Sequence, residues 1–353
     1  MSGTLADDAT VLVAEPSEAG AVFARGYFGS LEDPGLRLDR FESVYLLEMG
    51  RLEVVDGKGA PVAWPTLFRA ATRADPGFGV RYVVYRDLRQ RGYVVRASPP
   101  PITFAVLPRG GILNKTPAKF WVEPFSERVP FDLARIVELA ERAQAAKKSL
   151  LLALVDEESD LTFYRVRRPT PSGAMTPVSP EAPATGWITE DRVVVFDPPA
   201  VEALGGGPAY GSHIGARLEL SLLEAAFLVD TGTIELRDAR TRRPVSSDAL
   251  RRRARHLDPR FVERLAAYRA MRERKLIVKT GFKYGAHFRA YARNPEHDHA
   301  RYLVQAVPSA HVTAWPEIAG AVRLAQGVRK EYLLAAVDPH GVVRFLNLER
   351  IRP

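Results

Sequence analysis

The chain has 353 residues, with 50 lysines and arginines against 42 aspartates and glutamates for a formal charge of +8, and it contains no cysteine. Disulfides, cysteine-ligated zinc, iron–sulfur clusters and thiol nucleophiles are thereby excluded, so a nucleophile must be a hydroxyl, water or the substrate itself. A polar, acidic N-terminus and the lack of an apolar run of membrane-spanning length predict a soluble, cytoplasmic protein without membrane partners, and the basic balance favours a nucleic acid.

Along the chain the first feature is a repeat. Gly29-Ser30, the run Leu38-Asp39-Arg40-Phe41-Glu42 and Gly50-Arg51-Leu52-Glu53-Val54 recur 182 residues later as Gly211-Ser212, Leu220-Ser221-Leu222-Leu223-Glu224 and Gly232-Thr233-Ile234-Glu235-Leu236. Asp75-Pro76 with Phe78 returns as Asp258-Pro259 with Phe261. Lys148 followed by Leu151-Leu152-Ala153-Leu154-Val155-Asp156 returns as Lys330 followed by Leu333-Leu334-Ala335-Ala336-Val337-Asp338. A duplicated unit of this length predicts an α+β protein made of two tandem copies of a two-subdomain unit. Residues 1–168 form the first copy. Residues 169–186, rich in proline, serine and threonine, read as an exposed linker unable to build a helix or a central strand. Residues 187–353 form the second copy, divided at 274/275.

Within the second copy the patterning predicts strands at 192–196 and 233–236, with a helix at 220–230 between them. A helix follows at 258–273, with Phe261, Leu265, Tyr268 and Met271 on one face. Pro316 opens a helix that runs to about Lys330, and strands follow at 332–337 and 341–351. All seven histidines lie in this copy: His213, His256, His287, His297, His299, His311 and His340. Only one copy therefore keeps groups that titrate near neutral pH.

Three segments carry the chemistry: Lys279-Thr280-Gly281-Phe282-Lys283-Tyr284-Gly285-Ala286-His287-Phe288-Arg289-Ala290-Tyr291, then His299-Ala300-Arg301-Tyr302-Leu303-Val304, then Ala321-Val322-Arg323-Leu324-Ala325-Gln326-Gly327-Val328-Arg329-Lys330. In this order they resemble the archaeal tRNA-intron endonucleases, over the whole second copy and more faintly over the first. The resemblance implies a catalytic triad of Tyr291, His299 and Lys330. It implies an RNA lyase that needs neither cofactor nor metal and excises introns from precursor tRNA at bulge-helix-bulge sites, leaving 2′,3′-cyclic phosphate and 5′-hydroxyl ends. Attack by a 2′-hydroxyl needs a group to take its proton, a group to protonate the leaving 5′-oxygen, and a cation near the phosphoryl oxygens. Tyr291 suits the base, His299 the acid and Lys330 the cation. His287 competes for the acid's part, but the register of His299 to Tyr302-Leu303-Val304 favours His299. Aligning the copies puts Leu107 opposite Tyr291 and Pro117 opposite His299, leaving only Lys148, so the first copy reads as pseudo-catalytic.

The resemblance also assigns Arg323 and Arg350 to gripping a bulged base, a contact that guanidinium planes make by stacking. The seven-residue spacing of Arg323 and Lys330 predicts that both leave one helix face about 10 Å apart. A duplicated chain with one dead copy predicts a homodimer of four units. The acidic turn with Asp156, Glu157, Glu158 and Asp160 is the candidate plug into a basic pocket of the other subunit. The alternatives are a non-catalytic RNA-binding or assembly subunit and a metal-dependent nuclease. The second would need an acid-x-Lys pair on a strand, whereas Asp56-Gly57-Lys58 reads as a turn and Glu273-Arg274-Lys275 as a helix end.

Overall fold

A computed structural model describes residues 1–33, 35–177, 182–207 and 209–353. Two compact units emerge: Met1–Val129 with Leu139–Val166 and Arg350–Pro353, and Pro130–Glu138 with Arg167–Glu349. No helix among the described residues is long and apolar enough to cross a membrane.

In the first unit, helices α1 (Arg40–Glu48), α2 (Trp64–Ala74) and α3 (Phe78–Gln90) lead into a sheet. Its strands are β1 (Val95–Ala97), β2 (Phe104–Val106), β3 (Phe120–Ser126), β4 (Ser149–Val155) and β5 (Leu161–Arg167). β1, β2 and β3 are antiparallel neighbours, β3 and β4 are parallel, and β5 returns antiparallel to β4. A parallel pair needs a crossover, and α4 (Leu133–Ala145) supplies it.

The second unit repeats this plan. Helices α5 (Leu222–Asp230), α6 (Ser247–Leu257) and α7 (Phe261–Glu273) precede strands β6 (Ile277–Thr280), β7 (Phe288–Tyr291), β8 (Tyr302–Pro308), β9 (Glu331–Val337) and β10 (Val343–Ile351). The crossover between parallel β8 and β9 is α8 (Trp315–Gly327). The repeat extends to single hydrogen bonds. Asp39 accepts the Glu42 N–H at 2.9 Å while the Glu42 carboxylate accepts the Asp39 N–H at 3.0 Å, and Ser221 and Glu224 form the same reciprocal cap at 3.2 and 3.0 Å. Ser221 therefore ends a strand (Arg217–Ser221), and the helix begins at Leu222 rather than Leu220. Phe261, Leu265, Tyr268 and Met271 of α7 are buried as their spacing predicts, each contributing roughly 1.5–3 kcal/mol.

Two expectations are corrected. The helix read at 258–273 begins at Phe261. Asp258 instead terminates α6, a helix that periodicity did not reveal because its buried apolar side chains are few, Leu250 and Ala254 among them, in an arginine-rich segment. The linker is not merely an exposed tether. Ala184–Ile188 is an inner strand of the subdomain sheet, parallel to Ile234–Asp238 and antiparallel to Arg192–Val195. Gly186 serves close approach: a Cβ there would lie 2.7 Å from Val193 Cγ1. Earlier in the segment, the N–H groups of Gly173, Ala174 and Met175 donate to the carbonyls of Arg274, Ala292 and Lys275 at 2.8–2.9 Å. Residues 178–181 of the expected linker lie outside the described residues.

Candidate active site

Sheet topology brings the three candidate catalytic residues to one end of the second unit's sheet. β7 runs antiparallel to β8 and β8 parallel to β9, so the C-terminal end of β7 meets the N-terminal ends of β8 and β9. Tyr291 is the last residue of β7, His299 lies three residues before β8, and Lys330 immediately precedes β9. Tyr291 is 7% exposed and packs with Ile277, its cross-strand partner, and with Ala300 and Met175. Arg289, two residues earlier on the same face, holds its guanidinium carbon 5.9 Å from the centres of both the Tyr291 and Tyr284 rings. His299 is exposed, with its backbone N–H donating to Asp298 Oδ1 at 2.8 Å. The Lys330 ammonium donates to the Val328 carbonyl at 3.2 Å and lies 5.5 Å from the Tyr284 ring centre.

Lys330 is not on the helix of Arg323, contrary to the spacing argument. α8 ends at Gly327, and Arg329 turns left-handed at φ 55°. The N–H of Arg329 donates to Gln326 O at 3.0 Å and that of Lys330 to Ala325 O at 2.8 Å, the Schellman pattern that stops a helix. The first unit repeats this turn, with Lys147 at φ 56° and the N–H of Lys148 on Ala143 O at 2.8 Å. Arg323 remains on α8, exposed. Arg350 groups with the first unit, beside a cleft of about 360 Å³ that Arg91, Phe163 and Arg352 also line.

His287 sits at the wrong end of β7 for the triad. It precedes Phe288, and Tyr291 is four residues on, about 13 Å at the rise of an extended strand. Its Nδ1 accepts the Ala306 N–H at 3.1 Å. Burial, reinforced by the nearby Arg264 charge, pushes its pKa down to about 4. It is a neutral, hydrogen-bonded residue at pH 7.

Strand register tests the internal alignment independently. Phe104 pairs with Val122 and Phe288 with Val304, while Val106 pairs with Phe120 and Ala290 with Tyr302. Leu107 thus occupies the place of Tyr291 and Pro117 that of His299. Ser149 and Glu331 pair with Phe120 and Tyr302, which makes Lys148 the counterpart of Lys330. The acid-x-Lys pairs fall as read: Asp56 Oδ1 accepts the N–H groups of Lys58 and Ala60 in a turn, and Glu273 ends α7.

Two further residues line the site, Tyr284 from within the first chemistry-bearing segment and Met175 from outside all three. Tyr284 stands in a one-turn 3₁₀ segment without periodicity. Met175 lies in the 169–186 stretch, where its only signal is a large apolar side chain among prolines and small residues.

Family comparison covers both copies. A family model described as the tRNA intron endonuclease catalytic C-terminal domain matches residues 78–163 and 261–345. One described as the tRNA intron endonuclease N-terminal domain matches residues 1–64 and 184–251. The tRNA-splicing endonuclease of Methanosarcina acetivorans is 37% identical over 335 residues, covering 94% of each chain. Those of Methanococcoides burtonii and Haloferax volcanii are 35% and 31% identical, covering 97% and 100% of each chain. The chain belongs to the tRNA-splicing endonuclease family. Each endonuclease unit is present twice, N-terminal and catalytic domains in alternation.

In the second copy, between residues 184–251 of the N-terminal-domain match and residues 261–345 of the C-terminal-domain match, lies a cleft of about 490 Å³, lined by Arg192, Gly211 and Glu224 on one side and Arg264, Lys279 and His287 on the other. Lys279 donates to the Gly211 carbonyl at 2.6 Å, and burial holds its pKa below the ordinary lysine range. Register makes Arg96 its counterpart. Arg96 is held by the Tyr27 and Gly29 carbonyls, Ser30 Oγ and the Glu42 carboxylate at 2.8–3.1 Å. Four acceptors hold the guanidinium in the first copy, whereas the Lys279 ammonium has one acceptor among the described residues and keeps donor capacity towards its cleft.

Proposed function

We propose that this chain excises introns from precursor tRNA by cutting bulge-helix-bulge elements, with the RNA's own 2′-hydroxyl as nucleophile and no metal in the chemical step. The observation that carries this reading is the convergence of Tyr291, His299 and Lys330 on one sheet end, in the only copy that keeps all three. Tyr291 takes the 2′-hydroxyl proton as that oxygen bonds to the adjacent phosphorus. The bond from phosphorus to the 5′-oxygen breaks, and His299 delivers a proton to the departing oxygen. Lys330 offsets the charge that builds on the non-bridging oxygens. Arg289 supplies positive charge beside the ring that must act as a base. Substrate is recognised by shape, because A-form helices bury their base edges while bulges expose unpaired bases that Arg323 and Arg350 can stack upon.

The test is incubation of the purified chain with a bulge-helix-bulge RNA in excess EDTA. Both bulges are cut, leaving a 2′,3′-cyclic phosphate upstream and a 5′-hydroxyl downstream. A linear phosphate as the first product, or loss of cutting in chelator with the fold intact, overturns the metal-free triad.

The working form is a homodimer, which supplies two symmetry-related active sites for two bulges. The turn after β4 supports the plug assignment for two of its four acids. Asp156 organises the turn, accepting the N–H groups of Glu158 and Asp160 at 3.0 and 2.8 Å, and Glu157 pairs with Arg128. Glu158 and Asp160 remain to enter a partner's cleft and meet Lys279 and Arg264. Light scattering should give a dimer for the native chain and a monomer for Glu158→Lys with Asp160→Lys; a variant that stays dimeric removes the plug.

A further inference from the structure

Most of the chain's net charge of +8 belongs to one short element. Residues 1–168 hold 23 basic and 22 acidic side chains, and residues 169–353 hold 27 and 20. Between residues 237 and 256 alone there are eight arginines against two aspartates. This stretch is one continuous element of the catalytic copy: the strand Ile234–Asp238, the turn Arg240-Thr241-Arg242-Arg243, the short strand Pro244–Val245 and then α6, which carries Arg251-Arg252-Arg253-Ala254-Arg255. Arg251 is engaged by Asp230 at 2.6 Å and Arg253 by the Glu190 carbonyl at 2.9 Å. Arg240, Arg242, Arg243, Arg252 and Arg255 are exposed and make no ion pair among the described residues.

The equivalent element of the pseudo-catalytic copy carries less charge, keeping Arg69 opposite Arg252 and Arg73 opposite His256. Its equivalent helix α2 has the same eleven-residue length, but Phe68, Ala70 and Thr72 stand where α6 has Arg251, Arg253 and Arg255. Trp64 and Phe68 stack there at 4.9 Å. Exchanging an aromatic face for like charges three and four residues apart, without acids between them, costs stability in the free protein. A polyanion relieves that cost by taking up the charge and releasing its own counterions.

We infer that the 240–243 turn and the outer face of α6 form a second RNA-binding surface, which holds the sugar–phosphate backbone of double-stranded RNA beyond the bulges. The inference rests on the proposed activity for the identity of the polyanion. α6 packs on α7, and α7 packs on β6, β8 and β9, so α6 stands a second helical layer away from the sheet. At 8–10 Å for each packed layer its outer face is roughly 20 Å from the sheet. Contacts at that remove reach the paired arms of the substrate rather than the bulge. They add affinity without choosing the bond that is cut, since phosphate contacts position and carry no sequence information.

The test uses the full-length protein and two RNAs with identical bulges, one with arms trimmed to a few base pairs and one with long paired arms. Arg242→Gln with Arg243→Gln, and separately Arg252→Gln with Arg255→Gln, should each weaken binding of the long-armed RNA by roughly tenfold at physiological salt. Each pair should also lower the slope of log affinity against log salt by about two, one for each phosphate that is no longer neutralised. Affinity for the trimmed RNA and the single-turnover rate at saturating protein should not change. Unaltered affinity and salt slope on the long RNA, from variants with native melting temperatures, overturn the inference. So does a variant that falls to monomers while binding RNA normally, because the arginines would then serve assembly. If the native chain cuts no bulged RNA yet binds long arms through these arginines, the activity reading fails and the surface stands.

Discussion

Replacing the 2′-hydroxyl at one cleavage site by hydrogen should abolish cutting at that site and leave the other site cut. In the mechanism proposed here the 2′-oxygen is the only atom that forms a new bond to phosphorus, so its removal takes away the nucleophile and not merely a contact. No neighbouring group can substitute: Tyr291 and His299 move protons, and Lys330 only offsets charge. The loss of binding should be small by comparison, because affinity for a folded RNA is distributed over many phosphate contacts. The unmodified site, still cut, serves as an internal control for assembly, since both active sites act on the same molecule. A deoxy site still cut at a comparable rate would mean that water attacks instead, and the roles given to Tyr291 and His299 would fall together.

How much of this site was legible in sequence depends on how each residue is held. Tyr291, His299 and Lys330 could be found because the segments around them repeat in a copy that lacks two of the three, and strand register reproduces that alignment residue for residue. Register is set by the buried alternation of a sheet, and a one-residue slip would turn each side chain to the other face. What the chain does between strands was less legible. The seven-residue interval from Arg323 to Lys330 suggests two helical turns, but Arg329 takes the left-handed position usually given to glycine, and no residue type announces it. The 169–186 stretch is read as linker from its prolines, although part of it pairs as an inner strand and Met175 packs beneath Tyr291. Composition reports what a segment cannot do alone, whereas these residues are ordered by strands and carbonyls far away in sequence. α6 was invisible for the opposite reason. Its helical conformation is maintained by a cap at Ser246 and few buried side chains, so charge overwhelms the periodic signal.

His299→Ala should lower the single-turnover cleavage rate by roughly a hundredfold to ten-thousandfold, the range associated with loss of a general acid or base. RNA affinity should stay within about twofold of the native value, because one exposed imidazole is a minor part of a contact set dominated by phosphates. Two companion substitutions make the result specific. His287→Ala should retain cleavage at neutral pH: the ring precedes β7, four residues from Tyr291, accepts the Ala306 N–H, and has its pKa pushed down to about 4, which leaves no imidazolium to act as an acid at pH 7. Lys148→Ala should leave the rate unchanged, since Leu107 and Pro117 deprive its unit of both proton-transfer groups. Lys330→Ala, at the matching turn of the other copy, should lower the rate sharply. A fast His299→Ala variant alongside a slow His287→Ala variant, both with native melting temperatures, would reverse the assignment and move the reacting phosphate to the opposite end of β7, where neither Tyr291 nor Lys330 could act on it.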